Sequence, residues 1–144
     1  MRHVVEVISY STSGMRKDVV TFQFAPELPA VRSDPTQLEQ VFANLLSNAF
    51  DAIGPMGSVQ VVGSLAGDRV AVEIRDDGCG ILSENLHRVF DPFFTTKPAG
   101  KGTGLGLAIC YTLVQKLGGE IQLWSTTGKG TTVRVTLPLE GKNC

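Results

Sequence analysis

Asp76-Asp77-Gly78-Cys79-Gly80-Ile81 and Gly100-Lys101-Gly102-Thr103-Gly104-Leu105-Gly106-Leu107 are two glycine-rich segments, and Phe90-Asp91-Pro92-Phe93-Phe94 lies between them. They enclose a polar run, punctuated by Gly and Pro, that ends where a helical pattern begins. Glycine takes positive φ and lets a ligand approach the backbone closely. A helix start presents unpaired N–H groups to phosphate oxygens. The arrangement suits a nucleotide site with a movable cover.

Upstream, Val59, Val61 and Leu65 and then Val70, Val72 and Ile74 alternate with other residues across Ala66-Gly67-Asp68. That pattern predicts a hairpin running into the first glycine segment. Before it, Asp34-Pro35-Thr36-Gln37 has the form of a helix start, with Asp34 as N-cap and Pro35 at the first helical position. From Pro35 to Ile53 the residues Leu38, Val41, Phe42, Leu45, Leu46, Ala49 and Ile53 share one arc at about 100° per residue. Gly54-Pro55-Met56-Gly57 stops that helix. Val20, Phe22 and Phe24 alternate as a strand closed by Pro26 and Pro29.

Downstream, Leu105, Ile109, Thr112, Leu113 and Lys116 mark a second long helix ending at Gly118-Gly119. Ile121 and Leu123, then Val133, Val135 and Leu137, form a last hairpin through Thr126-Thr127-Gly128-Lys129-Gly130. The sum is an α+β fold, a two-layer α/β sandwich with a mixed, mostly antiparallel sheet of about five strands and helices on one face. One domain covers 1–144, with a linker or short N-terminal helix in 1–15 and a tail in 139–144.

A chain of 144 residues, 42% hydrophobic and 19% charged, supports a hydrophobic core. A net charge of −1 without a Lys/Arg run speaks against nucleic acid or an anionic membrane surface as partner. No apolar stretch approaches the roughly 18 residues of a membrane span, and Met1-Arg2-His3 is not followed by a signal-peptide core. Three cysteines, Cys79, Cys110 and Cys144, show neither disulfide nor zinc spacing. A cytoplasmic location is expected, with anchoring of a parent protein left open.

Three groups of residues carry chemistry, each with two readings. Asn44, Asn48 and Asp51 share an arc of the first helix. They form a solvated stripe, or they offer oxygens to a metal held largely by phosphates. Asp76, at a strand end before Gly78 and Gly80, is part of a plain Asp-Gly turn, or it accepts from the exocyclic amine of adenine. Gly102, Gly104 and Gly106 make a connector or a phosphate-facing backbone. Neither the P-loop nor the dinucleotide glycine pattern is present.

The order of these motifs closely resembles the catalytic, ATP-binding domain of bacterial sensor histidine kinases, within the superfamily shared with gyrase, Hsp90 and MutL. The matching segments are Asn44 to Ala52, Asp76 to Ile81, Phe90 to Lys97 and Gly102 to Leu107, in a resemblance that runs from Asp34 to Pro138. The resemblance implies ATP and Mg2+ as cofactors. It makes Asn48 the magnesium ligand, Asn44 its companion near the phosphates, with Asp51 on the same side, and Asp76 the adenine-binding carboxylate supported through water by Thr131. Gly78, Gly80 and Ile81 open a lid that Phe90, Phe93 and Phe94 anchor. Thr95, Thr96 and Lys97 approach the phosphates, and Gly102, Thr103, Gly104, Leu105, Gly106 and Leu107 form the second hinge.

The implied reaction transfers the γ-phosphate of Mg-ATP to a histidine on a separate dimerisation and phosphotransfer domain of the same protein, in a two-component phosphorelay with a response regulator downstream. Gyrase-type ATPases and anti-sigma serine kinases carry a glutamate where this chain has Asn44, and an amide cannot act as general base. A neutral imidazole needs no such base. The rival readings are a serine kinase or ATPase of the same fold and a non-catalytic scaffold. His3 and His87 are the two histidines, and both read as ordinary residues, so the substrate histidine belongs to a partner domain.

Overall fold

Alternation of side chains along the strands dictates which residues meet in the core. A computed structural model, describing residues 19–26, 28, 31, 35–92 and 106–139, shows the result. Five strands, β1 (Val20–Phe24), β2 (Val59–Ala66), β3 (Arg69–Asp76), β4 (Glu120–Thr126) and β5 (Gly130–Pro138), form one sheet in the order β1-β2-β3-β5-β4. β1 runs parallel to β2 and the other neighbours are antiparallel. Two helices, α1 (Pro35–Ala52) and α2 (Gly106–Lys116), cover one face, and a 3-10 helix (Ser83–Arg88) lies between β3 and α2. The architecture is the expected two-layer α+β sandwich.

The register sorts the covered face into rows. Phe24, Gly63, Val72, Val135 and Ile121 form one, and Phe22, Val61, Ile74, Val133 and Leu123 the next. Gly63 is not a gap, because a Cβ there would lie 2.6 Å from the Phe24 ring. Against these rows α1 sets Leu38, Val41, Phe42, Leu45, Leu46 and Ala49, and α2 sets Cys110 and Val114. The last row differs. It reads Val20, Val59, Asp76, Thr131 and Ser125, apolar toward β1 and polar toward β4. The hydrophobic face therefore ends in a polar margin next to Ile74 and Val133.

Element ends follow local chemistry. β2 and β3 are joined through Gly67-Asp68, as the alternation predicted. α1 begins at Pro35 as expected and stops at Ala52, one residue before the apolar arc ends. α2 closes with a Schellman pair: Gly119 N–H donates to the Val114 carbonyl (3.0 Å) and Gly118 N–H to that of Gln115 (3.1 Å). Residues 1–15, Asp34 and 140–144 lie outside the described residues, whereas Leu139 still bridges to Val31. Among the described residues no helix is long and apolar enough to cross a membrane.

Phe42 is fully buried in α1 and Met56, in the loop after it, is 95% exposed. Phe42→Ala should cost about 3–5 kcal/mol of stability and Met56→Ala less than about 0.5 kcal/mol, as urea denaturation would measure.

Candidate functional site

Asp76 is the last residue of β3 and half-buried at the polar margin. Its Oδ1 accepts the Gly78 N–H at 2.9 Å. Burial raises its pKa above the ordinary carboxylate value, the main-chain N–H groups of Gly78 and Thr131 oppose that shift, and the charge of Asp77 adds to it. Thr131 stands directly opposite Asp76 on β5, and Ser125 opposite Thr131 on β4. Residues directly paired across strands share a face. Ser125 Oγ accepts the Ile81 N–H (2.7 Å), donates to the Gly130 carbonyl (3.0 Å) and meets Thr131 Oγ1 at 2.8 Å.

Beyond Asp76, three stretches of main chain touch. A Cβ at Gly78 would collide with the Ala52 carbonyl at the end of α1, one at Gly80 with the Thr126 carbonyl, and one at Gly130 with the carbonyl of Asp76. Gly80 and Gly130 also take φ values of +76° and +123°, which L side chains rarely adopt. Hydrogen bonds hold the junction: Cys79 N–H to the Ala52 carbonyl (3.3 Å) and Gly128 N–H to the Cys79 carbonyl (2.8 Å). Gly78 departs from the expectation, since its φ is not positive and the backbone approaching it is the end of α1. Asp77 is exposed yet accepts both the Ser58 N–H (2.8 Å) and hydroxyl (3.3 Å), fastening the residue after β3 to the residue before β2.

On α1, Asn44 and Asn48 are half-buried and Asp51 is exposed. A Cβ on Gly106, the first residue of α2, would lie 3.9 Å from the Asn48 amide nitrogen, so Asn48 sits beside the opening of that helix. Asn44 instead hydrogen-bonds the Cys110 thiol, which also donates to the Val41 carbonyl at 3.5 Å. Burial pushes that thiol up to about 12, against the Asn44 bond. Phe90 is half-buried and packs on Tyr111 of α2 with ring centroids 5.5 Å apart, and Leu107 packs against the core. Ile81 is tied at both main-chain groups, its carbonyl accepting the Thr127 hydroxyl at 3.5 Å.

The structure thus gathers Asp76, Gly78, Gly80, Ile81 and Thr131 at the ends of β3, β4 and β5, and places Asn48 against Gly106. Phe93, Phe94, Thr95, Thr96, Lys97, Gly102, Thr103, Gly104 and Leu105 lie outside the described residues. Sequence reasoning missed Ser125 and the Asn44–Cys110 contact. Ser125 was open to discovery, because Ile121, Leu123 and Ser125 alternate onto the covered face. The second contact needed the packing of α2 on α1, which no local pattern encodes. Among the described residues no three His, Cys, Asp or Glu side chains gather as a metal-binding group.

The model of the histidine kinase-, DNA gyrase B- and HSP90-like ATPase family matches residues 33–141. The sensor histidine kinase ZraS of Escherichia coli (strain K12) is 38% identical over 139 residues, covering 96% of this chain and 29% of that protein. The chain therefore spans under a third of the length of such a relative. Among solved structures, a mycobacterial sensor histidine kinase, MprB, superposes with a TM-score of 0.81 at 27% identity, covering 96% of this chain and 97% of that one. Full-length ShkA, in complex with AMPPNP, gives 0.75 at 26% identity over 94% of this chain and 29% of its own.

Because its pKa is raised, the folded protein binds the Asp76 proton more tightly than the unfolded chain does. Ionisation then subtracts stability, in full above the raised pKa and not at all well below the ordinary value of 3.8. Relative to Asp76→Asn, which has no charge to bury, the natural protein should gain stability as pH falls from neutral toward 3.8. Urea titrations of both proteins across that range check the sign. A gap independent of pH would show that the carboxylate carries no burial penalty.

Proposed function

The chain belongs to the histidine kinase-, DNA gyrase B- and HSP90-like ATPase family, as a catalytic domain of the histidine kinase type, and from that premise we propose that it passes the γ-phosphate of Mg-ATP to a histidine on a separate dimerisation domain of the same protein. The observation that carries the reading is Asp76, a carboxylate half-buried at the edge of the core and aligned with Thr131. A carboxylate accepts two donors and in such partly desolvated surroundings binds an exocyclic amine more strongly than in water. Adenine offers that amine.

The phosphate end of the ligand lies toward α2 in this reading. Asn48, beside Gly106, supplies an amide oxygen, a donor type that magnesium accepts together with phosphate oxygens and water. A magnesium ion held there would supply charge neutralisation for the phosphates. Asn44 keeps the role of companion near them, with its amide orientation tied to Cys110, while Asp51, Gly78, Gly80, Leu107 and the segment from Thr95 to Leu105 complete the ligand surround and its lid. Phe90, seated on Tyr111, anchors that lid at the α2 side.

No general base from this domain is needed. Asn44 occupies the position at which a glutamate would activate water or a hydroxyl, and a neutral imidazole attacks phosphorus unaided. Catalysis is then positioning and charge stabilisation. A response regulator is the downstream acceptor in this proposal.

Asp76→Asn should weaken ATP binding by about 1.5–3 kcal/mol, the range for a hydrogen bond to a charged group, in titration calorimetry. Unchanged affinity would sink the adenine assignment. With the parent protein's histidine-bearing domain added, the chain and Mg-ATP should yield acid-labile phosphate, whereas acid-stable phosphate would indicate a serine acceptor. Asn48→Ala should slow that transfer while leaving the unfolding midpoint within the range of a surface change. Transfer at the natural rate would remove Asn48 as the metal ligand.

A further inference from the structure

We propose that Ser125 is a positioning residue for base selectivity, turning the Thr131 hydroxyl into a hydrogen-bond acceptor beside Asp76. The inference rests on the ATP-binding reading above and concerns a residue outside the motifs that support it.

Hydrogen accounting carries it. A serine hydroxyl has one hydrogen and two lone pairs. Ser125 Oγ has three close polar neighbours: the Ile81 N–H at 2.7 Å, the Gly130 carbonyl at 3.0 Å and Thr131 Oγ1 at 2.8 Å. The first can only donate and the second can only accept. Ser125 therefore gives its single hydrogen to Gly130 and receives that of Ile81. Its remaining lone pair takes the hydrogen of Thr131, whose own hydrogen is then committed. Thr131 Oγ1 presents lone pairs alone to whatever lies at the margin.

Directly opposite Thr131, the Asp76 carboxylate is likewise acceptor-only when ionised. A base edge that meets the pair, directly or through one water, must offer donors. A purine with its amine at C6 does so. A purine with a carbonyl at that position meets acceptors on both strands and leaves them unpaired, which is the strong form of discrimination. Without the Ser125 hydroxyl the Thr131 hydrogen is free to rotate and satisfy that carbonyl, and selectivity relaxes. Ser125 is half-buried at the end of β4, and its three contacts leave it no hydrogen to give the ligand. Its effect therefore passes through Thr131.

The test is a double-mutant cycle read as the ratio of ATP to GTP affinity, measured calorimetrically on the chain of known sequence. Ser125→Ala should lower that ratio about tenfold, the scale of one hydrogen bond, and Ser125→Thr, which keeps the hydroxyl, should retain it. In a Thr131→Val background, Ser125→Ala should change the ratio no further. A purely structural role would lower both affinities together and leave the ratio untouched. That result, or an equal drop in the Thr131→Val background, overturns the proposal. If Ser125→Ala does not fold, Ser125→Cys, close in shape with a weaker hydrogen-bonding group, serves in the same cycle. Natural protein that binds neither nucleotide would bring down the ATP reading and this inference together; ATP preference without any effect of Ser125 would overturn this inference alone.

Discussion

Main chain resting on main chain, with no room for a single Cβ, is the constraint on which the site depends. Gly78 lies under the last carbonyl of α1, Gly80 under that of Thr126, and Gly130 under that of Asp76. These contacts join the helix layer, the β4–β5 turn and the end of β3 at one point. Polar backbone cannot be packed this tightly unless its hydrogen bonds are met, and the bonds from Cys79 to Ala52 and from Gly128 to Cys79 meet them. The carboxylate of Asp76 is therefore carried on a rigid junction, even though the residues that follow it belong to a loop.

Chemistry enters where the apolar rows of the sheet give out. Val20 and Val59 continue the core into the last row, and Asp76, Thr131 and Ser125 interrupt it. Their partial burial strengthens each hydrogen bond and raises the cost of leaving one unmade. Asp76 shows that cost as a raised pKa. Burial acts in the same direction on Cys110 of α2, whose thiol is held neutral beside Asn44 and Val41 and so behaves as a packing group.

Much of the fold was legible because its signals are periodic. Period-two alternation located β2, β3 and β5, and the arc from Leu38 to Ile53 located α1. The parallel pairing of β1 with β2 was not legible, since register across a helical crossover is set by packing. Asp76 and Thr131, which the resemblance assigned together, are neighbours in space. Gly78 meets the end of α1: a glycine can answer to a ligand or to another part of its own backbone, and sequence does not distinguish them. Asp77 and Ser58 illustrate the same limit, for their bond is a consequence of how β2 enters the sheet.

The strand order β1-β2-β3-β5-β4 has a kinetic implication. Two hairpins, β2 with β3 and β4 with β5, close through short turns and are local. The seam between β3 and β5 is not, because the 3-10 helix and α2 intervene in the chain. Loop-closure entropy places such non-local pairing late in folding. Asp76 and Thr131 face one another across that seam. That pairing thus comes into being only when the two hairpins dock, and a half-assembled chain holds the two residues apart.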